Sequence, residues 1–256
     1  MSIRIAELHK AFGPKEVLRG FSLEVHVGAT AAIVGPSGSG KSVLLKHLVG
    51  LMRPDTGSVL VDGESVPDLG RRDLARFRRR VGYVFQFAAL FDSMTIAENV
   101  GMGLKRLPGW RADRIRGRVD ECLALVDLEG MGERYPSQLS GGQKKRAGLA
   151  RAIAASPKYL LYDEPTTGLD PVTTSVIDAL ILRMRDELGV TGLVVTHDMT
   201  SAFRVADRIT LLHEGKARFT GTPAEVRAAR DDVLRGFVEG DPGLYYGLKG
   251  RGDHGP

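Results

Sequence analysis

The stretch GPSGSGKS, running Gly35, Pro36, Ser37, Gly38, Ser39, Gly40, Lys41, Ser42, satisfies the pattern G-x-x-x-x-G-K-[ST] and decides how the rest of the chain is read. It follows an apolar run at 31–34 and precedes residues 41–49, whose apolar positions recur at helical spacing. A strand, a glycine loop and a helix in that order turn backbone N–H groups toward an anion, with the positive end of a helix behind them. Lys41 is then placed to bridge the β- and γ-phosphates of a nucleotide, and Ser42 to ligate Mg²⁺. The bland alternative is a glycine-rich turn with an incidental lysine. A chance match has a probability on the order of a few per cent even before the flanking strand and helix are required.

Downstream, YLLYDEP at 159–165 is an apolar strand ending in two adjacent carboxylates. Successive strand residues point opposite ways, so the two acids need not share a task. Asp163 suits the Mg²⁺ shell and Glu164 suits polarising an attacking water as general base. Paired acids at a strand end could instead cap the next helix. His197 follows the apolar strand 193–196, at the carboxyl end of a core strand where ligands of α/β sheets bind.

Further strands and helices are expected around these points. Residues 3–8 and 21–27 alternate apolar and polar side chains, predicting antiparallel edge sheet before Gly28. Strands at 158–162, 193–196 and 208–212 alternate with helices near 171–187 and 200–206, which predicts a parallel, layered α/β core. Between them, 93–107 and 110–126 read as helices without strands, a candidate helical subdomain. Cys122 falls among Val119, Leu123 and Val126 in the second of these and reads as a small buried hydrophobe.

Composition bounds the remaining classes. The chain has 256 residues, 36 Lys+Arg against 31 Asp+Glu, and a net charge of +5. With 43% hydrophobic and 26% charged side chains it is an ordinary globular composition. One cysteine excludes a disulfide framework. No apolar stretch approaches the roughly 20 residues that cross a bilayer, and Arg4, Glu7, His9 and Lys10 occupy the place of a signal peptide's apolar region. A cytosolic protein is expected, with any membrane role exercised through partners. The arginines at 71, 72, 76, 78, 79 and 80, interrupted by Asp73 and by the apolar Leu74 and Phe77 at helical spacing, read as a solvated helix face and not as the aromatic-lined platform of a nucleic-acid binder.

The order of these pieces, together with LSGGQ at 139–143, closely resembles the ABC-transporter ATPases over nearly the whole chain. The resemblance implies a P-loop NTPase of ABC type: residues 1–240 form the ATPase domain, a helical subdomain at about 87–156 is inserted in it, and 241–256 extend beyond. By position it implies that Phe12 stacks on adenine, with phenylalanine in place of the commoner tyrosine. Val43 completes the phosphate loop, and Gln86 is the switch-loop glutamine that senses Mg²⁺ and the permease. It makes Lys41, Glu164 and His197 the catalytic residues, with Ser42, Gln86 and Asp163 around the metal. Ser140, Gly141, Gly142, Gln143 and Asp170 become contacts to ATP held by a second copy. Free amides and a hydroxyl at the start of a helix near 143–154 fit that assignment. ATP and Mg²⁺ are the implied cofactors, and the implied assembly is a homodimer beneath an integral membrane permease, peripheral on the cytoplasmic face of the inner membrane.

Three stretches, FQFAALFDSMTIAENV (85–100), YDEPTTGLDPVTTSVID (162–178) and THDMTSAFRVADRI (196–209), look most like ATPases of the Mla and MCE phospholipid transporters. Gln143 departs from them, because many carry methionine there. That finer resemblance implies an MCE-domain substrate-binding protein and often a small STAS-domain regulator; an importer of another substrate, such as polar amino acids, is the alternative. Nucleic-acid-acting relatives carry long coiled coils or tandem ATPase units, neither of which fits one phosphate loop in 256 residues. Each catalytic position holds a competent residue, against a silent binding module. Phe237, Leu244, Tyr245 and Tyr246 are apolar enough to dock on a partner chain, and the triplet Arg251-Gly252-Asp253 reads as coincidence.

Overall fold

The computed structural model describes residues 2–248; the glycine-rich finish and the triplet at 251–253 lie outside them. The N-terminal alternation forms β1 (Ile3–Phe12) and β2 (Lys15–Val25), paired antiparallel. Next come β3 (Thr30–Val34), buried along its whole length, and α1 (Lys41–Leu48). β4 (Thr56–Val61) and β5 (Glu64–Ser65) return to the first sheet, whose order is β2-β1-β4-β5. The chain continues through α2 (Arg71–Arg78), β6 (Val81–Val84), α3 (Ile96–Gly101), α4 (Ala112–Leu125), α5 (Gly141–Ile153) and β7 (Tyr159–Asp163). It then runs through α6 (Pro171–Leu188), β8 (Thr191–Thr196), α7 (Met199–Val205), β9 (Arg208–His213) and β10 (Lys216–Gly221) to α8 (Pro223–Ala228), α9 (Asp232–Glu239) and α10 (Pro242–Tyr246).

The second sheet has the order β10-β9-β3-β8-β7-β6, parallel from β9 to β6 with β10 antiparallel at one edge. β8 lies between β3 and β7, so the phosphate loop, the acids at 163–164 and His197 all leave neighbouring parallel strands at their carboxyl ends. The expected fold class is therefore present. Helices are what parallel connections require, and they cover the strands that read as unbroken apolar runs.

Between β6 and β7 lie α3, α4 and α5 without a strand. Val100, Leu104, Val119, Cys122, Leu123, Leu149 and Ile153 pack into their shared core. α3 is shorter than the helix expected over 93–107. Thr95 caps it, accepting from the Glu98 amide while the Glu98 carboxylate accepts from the Thr95 amide, so the helix starts after residue 95. Gly101 and Gly103 weaken its far end.

The arginine cluster is structural and solvated, as its charge pattern predicts. In α2 only Phe77 is buried; Arg78 donates to the Val49 and Gly50 carbonyls, and Arg80 pairs with Asp62 and Glu64. The tail differs in part from expectation. Tyr245 is buried within its own chain, its hydroxyl 3.0 Å from His213 Nδ1 and its ring 5.9 Å from Phe237, whereas Tyr246 and Leu248 are exposed.

Burial pushes the Cys122 thiol up to about 11, and the side chain is fully enclosed. Iodoacetamide at pH 8 is expected to leave Cys122 unmodified in the folded chain and to alkylate it fully in guanidinium, read by mass spectrometry; rapid modification without denaturant would contradict the packing of α4.

Candidate nucleotide site

Residues 35–42 wrap the start of α1, and two of their glycines are required by contact. A Cβ at Gly35 would stand 2.6 Å from the Leu212 carbonyl of β9. Gly40 caps α1 at φ +106°, and a Cβ there would meet Val17 at 2.8 Å. The loop is thus pressed between β9 and β2, and α1 directs its N-terminal amides at whatever lies in the loop.

A cleft of about 570 Å³ opens there, lined on the loop side by Ser37, Gly38, Gly40, Lys41, Ser42 and Val43. Phe12, Lys15 and Val17 line it from the antiparallel sheet, with Gln86, Glu164, Thr167 and His197 opposite. Phe12 is half exposed at the end of β1, with Lys10 Nζ over its ring at 5.8 Å from the centroid.

Polar contacts inside the cleft form two groups. In the first, Lys41 Nζ donates to the Gly35 carbonyl at 2.8 Å and the Pro36 carbonyl at 3.1 Å, and pairs with Glu164 Oε1 at 3.2 Å. Glu164 Oε2 accepts from His197 Nδ1 at 2.8 Å, from the His197 amide at 3.3 Å and from Thr167 Oγ1 at 3.2 Å. Both Lys41 and Glu164 are buried. Glu164 also sits at φ +48°, a left-handed conformation that a non-glycine residue holds only when its surroundings impose it.

The second group centres on Asp163. Ser42 Oγ donates to Oδ1 at 2.9 Å and Tyr83 OH to Oδ2 at 2.8 Å. Burial, and then the Asp163 charge, push the Tyr83 hydroxyl far above the ordinary tyrosine range, so it remains a donor that orients the carboxylate. One hydroxyl and one carboxylate suit Mg²⁺, which takes few protein ligands and completes its octahedron with phosphate oxygens and water. Among the described residues no group of three His, Cys, Asp or Glu side chains could hold a metal without such help.

The signature stretch lies elsewhere. Ser140 to Gln143 and Asp170 do not line the cleft. α5 begins two residues earlier than expected, at Gly141, with Ser140 as its cap. The amides there are not all free: Ser140 Oγ accepts from Gln143 N at 3.3 Å, and Gln143 Oε1 accepts from Ser140 N at 2.9 Å. The amides of Gly141 and Gly142 and the Ser140 hydroxyl proton are what remain to offer outward. Asp170 caps α6, accepting from the Val172 and Thr173 amides at 3.0 and 2.9 Å; the Thr173 hydrogen bonds hold its carboxyl below the usual range. Helix capping, weighed for the adjacent acids of 163–164, falls instead to Asp170.

Sequence reasoning missed Tyr83, Thr167 and Lys145. Tyr83 had a signal, since it is the polar member of a strand whose carboxyl end joins those of β3 and β7.

The ABC transporter family profile matches residues 18–167. The sulfate/thiosulfate import ATP-binding proteins of Synechococcus elongatus and Thermosynechococcus vestitus are 41% and 43% identical over 88% of the chain, which spans 64% and 66% of their lengths. That of Vibrio vulnificus is 41% identical over 96% of the chain and 71% of its own length. The first two are thus matched over just under two thirds of their length. Among solved structures, cbiO1 of Clostridium perfringens, described as part of the transporter complex cbiONQ, matches with a TM-score of 0.82 at 32% identity, covering 91% of this chain and 93% of its own. The cassette MJ0796, solved as a dimer in a post-hydrolysis state with ADP and Pi, matches with a TM-score of 0.79 at 34% identity, covering 86% and 98%. None of these relatives is named as a phospholipid or MCE-linked ATPase, so the narrower resemblance has no counterpart among them. On the profile match and on the identity shared with these proteins, the chain belongs to the ABC transporter family.

Proposed function

We propose that the chain binds and hydrolyses ATP with Mg²⁺ as the motor subunit of an ABC importer, working as a pair of copies on the cytoplasmic face of a membrane permease. The observation that carries this reading is the convergence of Lys41, Glu164, His197 and Ser42, itself hydrogen-bonded to Asp163, on one cleft that Gly141 and Gly142 do not line. A triphosphate in the cleft would have phosphate loop on one side only. The groups at Ser140, Gly141, Gly142, Gln143 and Asp170 of a second copy would supply the other side and exclude water.

Within one chain the steps follow from the contacts. Phosphates draw Lys41 Nζ away from Glu164, and Oε1 becomes an acceptor for the attacking water. His197 keeps Glu164 oriented through Nδ1–H; its Nε2 can then donate to a phosphate oxygen only when the ring carries both protons. Mg²⁺, when bound, neutralises charge on the phosphate oxygens; Ser42 and Asp163 would hold it, Tyr83 would fix the carboxylate, and Gln86 would reach it from the switch loop.

The cargo is proposed from the relatives' names. Import of a small inorganic oxyanion such as sulfate, delivered by a substrate-binding protein to the permease, replaces phospholipid traffic with an MCE-domain partner as the first reading. Among the described residues no helix is long and apolar enough to cross a membrane, so the permease is a separate part of the assembly in this reading. Exposed Tyr246 and Leu248 remain available for a contact of the tail with a partner chain.

Glu164→Gln is expected to retain ATP binding while turnover falls on the order of 10²–10⁴-fold and a dimer accumulates in sizing columns with ATP. Lys41→Ala should lose most nucleotide binding in a fluorescent-ATP titration. Near wild-type turnover of Glu164→Gln would remove the base assignment. For the cargo, the complex purified from membranes should hold a permease and show sulfate-stimulated ATPase activity with its binding protein; recovery of an MCE-domain protein with bound phospholipid would overturn the importer reading.

A further inference from the structure

Gln86 has a place in the cleft, yet the loop that carries it is an unfavourable piece of backbone. Ala88 and Ala89 are consecutive non-glycine residues with φ +56° and +51°. Left-handed alanines are costly one at a time, and two in a row persist only where the surroundings over-determine them.

The surroundings are one side of α5, the helix that begins at Ser140. Lys145 Nζ donates to the Gln86 carbonyl at 2.5 Å. Arg151 donates to the Ala89 carbonyl at 2.5 Å through one guanidinium nitrogen and to the Ala88 carbonyl at 2.7 Å through the other. Gly148, midway between these two, lets the helix touch the loop: a Cβ there would stand 3.3 Å from Ala88 Cα. The three residues recur every three positions and so share a face of the helix. Three carbonyls of the loop thus receive charge-assisted hydrogen bonds from one stripe, each stronger than a neutral bond.

Lys145 does more than hold the loop. It is 8% exposed, and the same ammonium lies 3.4 Å from the carbonyl of Glu164. Its position links the start of the signature helix, the switch loop and the backbone of the proposed base. Farther along, Asn99 of α3 pins residues 91–95 by accepting from the Phe91 amide and donating to the Phe91, Met94 and Thr95 carbonyls. The loop is fastened at both ends, and Phe87, 84% exposed, is left between them.

We infer that Lys145, Gly148 and Arg151 form a clamp that sets the position of Gln86 in the cleft and makes the switch loop move as one body with the signature helix. The inference rests on the reading of the cleft as a site of ATP hydrolysis. These are positioning residues: Lys145 and Arg151 act on the reaction through Gln86 and through the backbone of Glu164. When α5 turns, the carbonyls of residues 86, 88 and 89 turn with it. When the clamp is lost, the two alanines relax to right-handed backbone and Gln86 leaves the cleft.

The test uses the full chain with Lys145→Met, Arg151→Met and the conservative Lys145→Arg, with Tm recorded for each. Hydrogen exchange at residues 86–91 is expected to quicken about tenfold or more in the methionine variants while the amides of α5 are unchanged. With ATP, kcat should fall about tenfold, KM for ATP should move less than about threefold, and half-maximal activity should need more Mg²⁺. Lys145→Arg should restore all three. If a methionine variant does not fold, Gly148→Ala, which keeps both cations and presses on Ala88, should give the same loop exchange and Mg²⁺ shift. Unchanged exchange at 86–91 refutes the clamp. Faster exchange with unaltered kcat and Mg²⁺ requirement refutes its role in positioning Gln86. A wild-type chain that hydrolyses no ATP removes the proposed function, and the exchange result still decides whether the clamp exists.

Discussion

The buried carboxylate of Glu164 is the point on which the site depends. It is shared between a lysine from the phosphate loop and a histidine from the end of β8, and it stands on left-handed backbone. Removing one partner of such a buried pair typically destabilises by about 3–5 kcal/mol, because the other charge is left without compensation. Three separate segments are therefore held in register by one side chain. The parallel sheet makes this possible, since β3, β8 and β7 are adjacent and all end on the same edge. An arrangement that satisfies Glu164 so fully also withholds it from chemistry, and a phosphate that competes for Lys41 is what would release it.

The start of α5 shows the opposite strategy. Its capping box satisfies two backbone donors within the chain, so an exposed helix end with two adjacent glycines is stable without a partner. The first amides of the helix, at Gly141 and Gly142, have no intrahelical partner; Gly141 stands in open space, whereas a Cβ at Gly142 would meet Thr173 of α6 at 2.5 Å. A surface built like this gains little from its own chain and much from an anion presented by another.

The parallel core, the helical insertion and the cleft residues Lys41, Ser42 and Glu164 were legible in short-range patterns, namely apolar runs for strands covered on both faces, glycines before a helix and paired acids at a strand end, whereas Phe12 and Gln86 were legible only through the family resemblance. What the sequence did not contain depends on contacts between distant segments. The strands β4 and β5 were missed because Thr56–Val61 alternates weakly and earns its place only by pairing with β1. Tyr83 and Asp163 lie 80 residues apart, and nothing local says that they meet. Lys145 looks like one basic residue among several after LSGGQ; its burial is visible only once the switch loop is folded over it. Asp170, read as facing a partner, also caps α6 by accepting from the Val172 and Thr173 amides, a role that Pro171 directly after it already marked. The phospholipid reading finds no support among the relatives for a different reason: small sequence variations among cassettes of one fold do not state what a separate permease carries.

A common construction runs through the functional loops. The helices behind two of them reach across to a neighbouring helix or loop with charged side chains. Asp178 of α6, buried, accepts from Ser201 Oγ of α7 and pairs with Arg204 at 3.3 Å, so the helices that follow Asp170 and His197 are tied to each other. Burial raises the Asp178 carboxyl above its usual range, against the pull of those partners, a sign that the link is retained despite its desolvation. Lys145 and Arg151 tie the switch loop to α5 in the same manner. Loops anchored like this cannot adjust one residue at a time. They shift as helix-sized bodies, and a site assembled from several of them can be completed or dismantled by small rotations of the helices behind it.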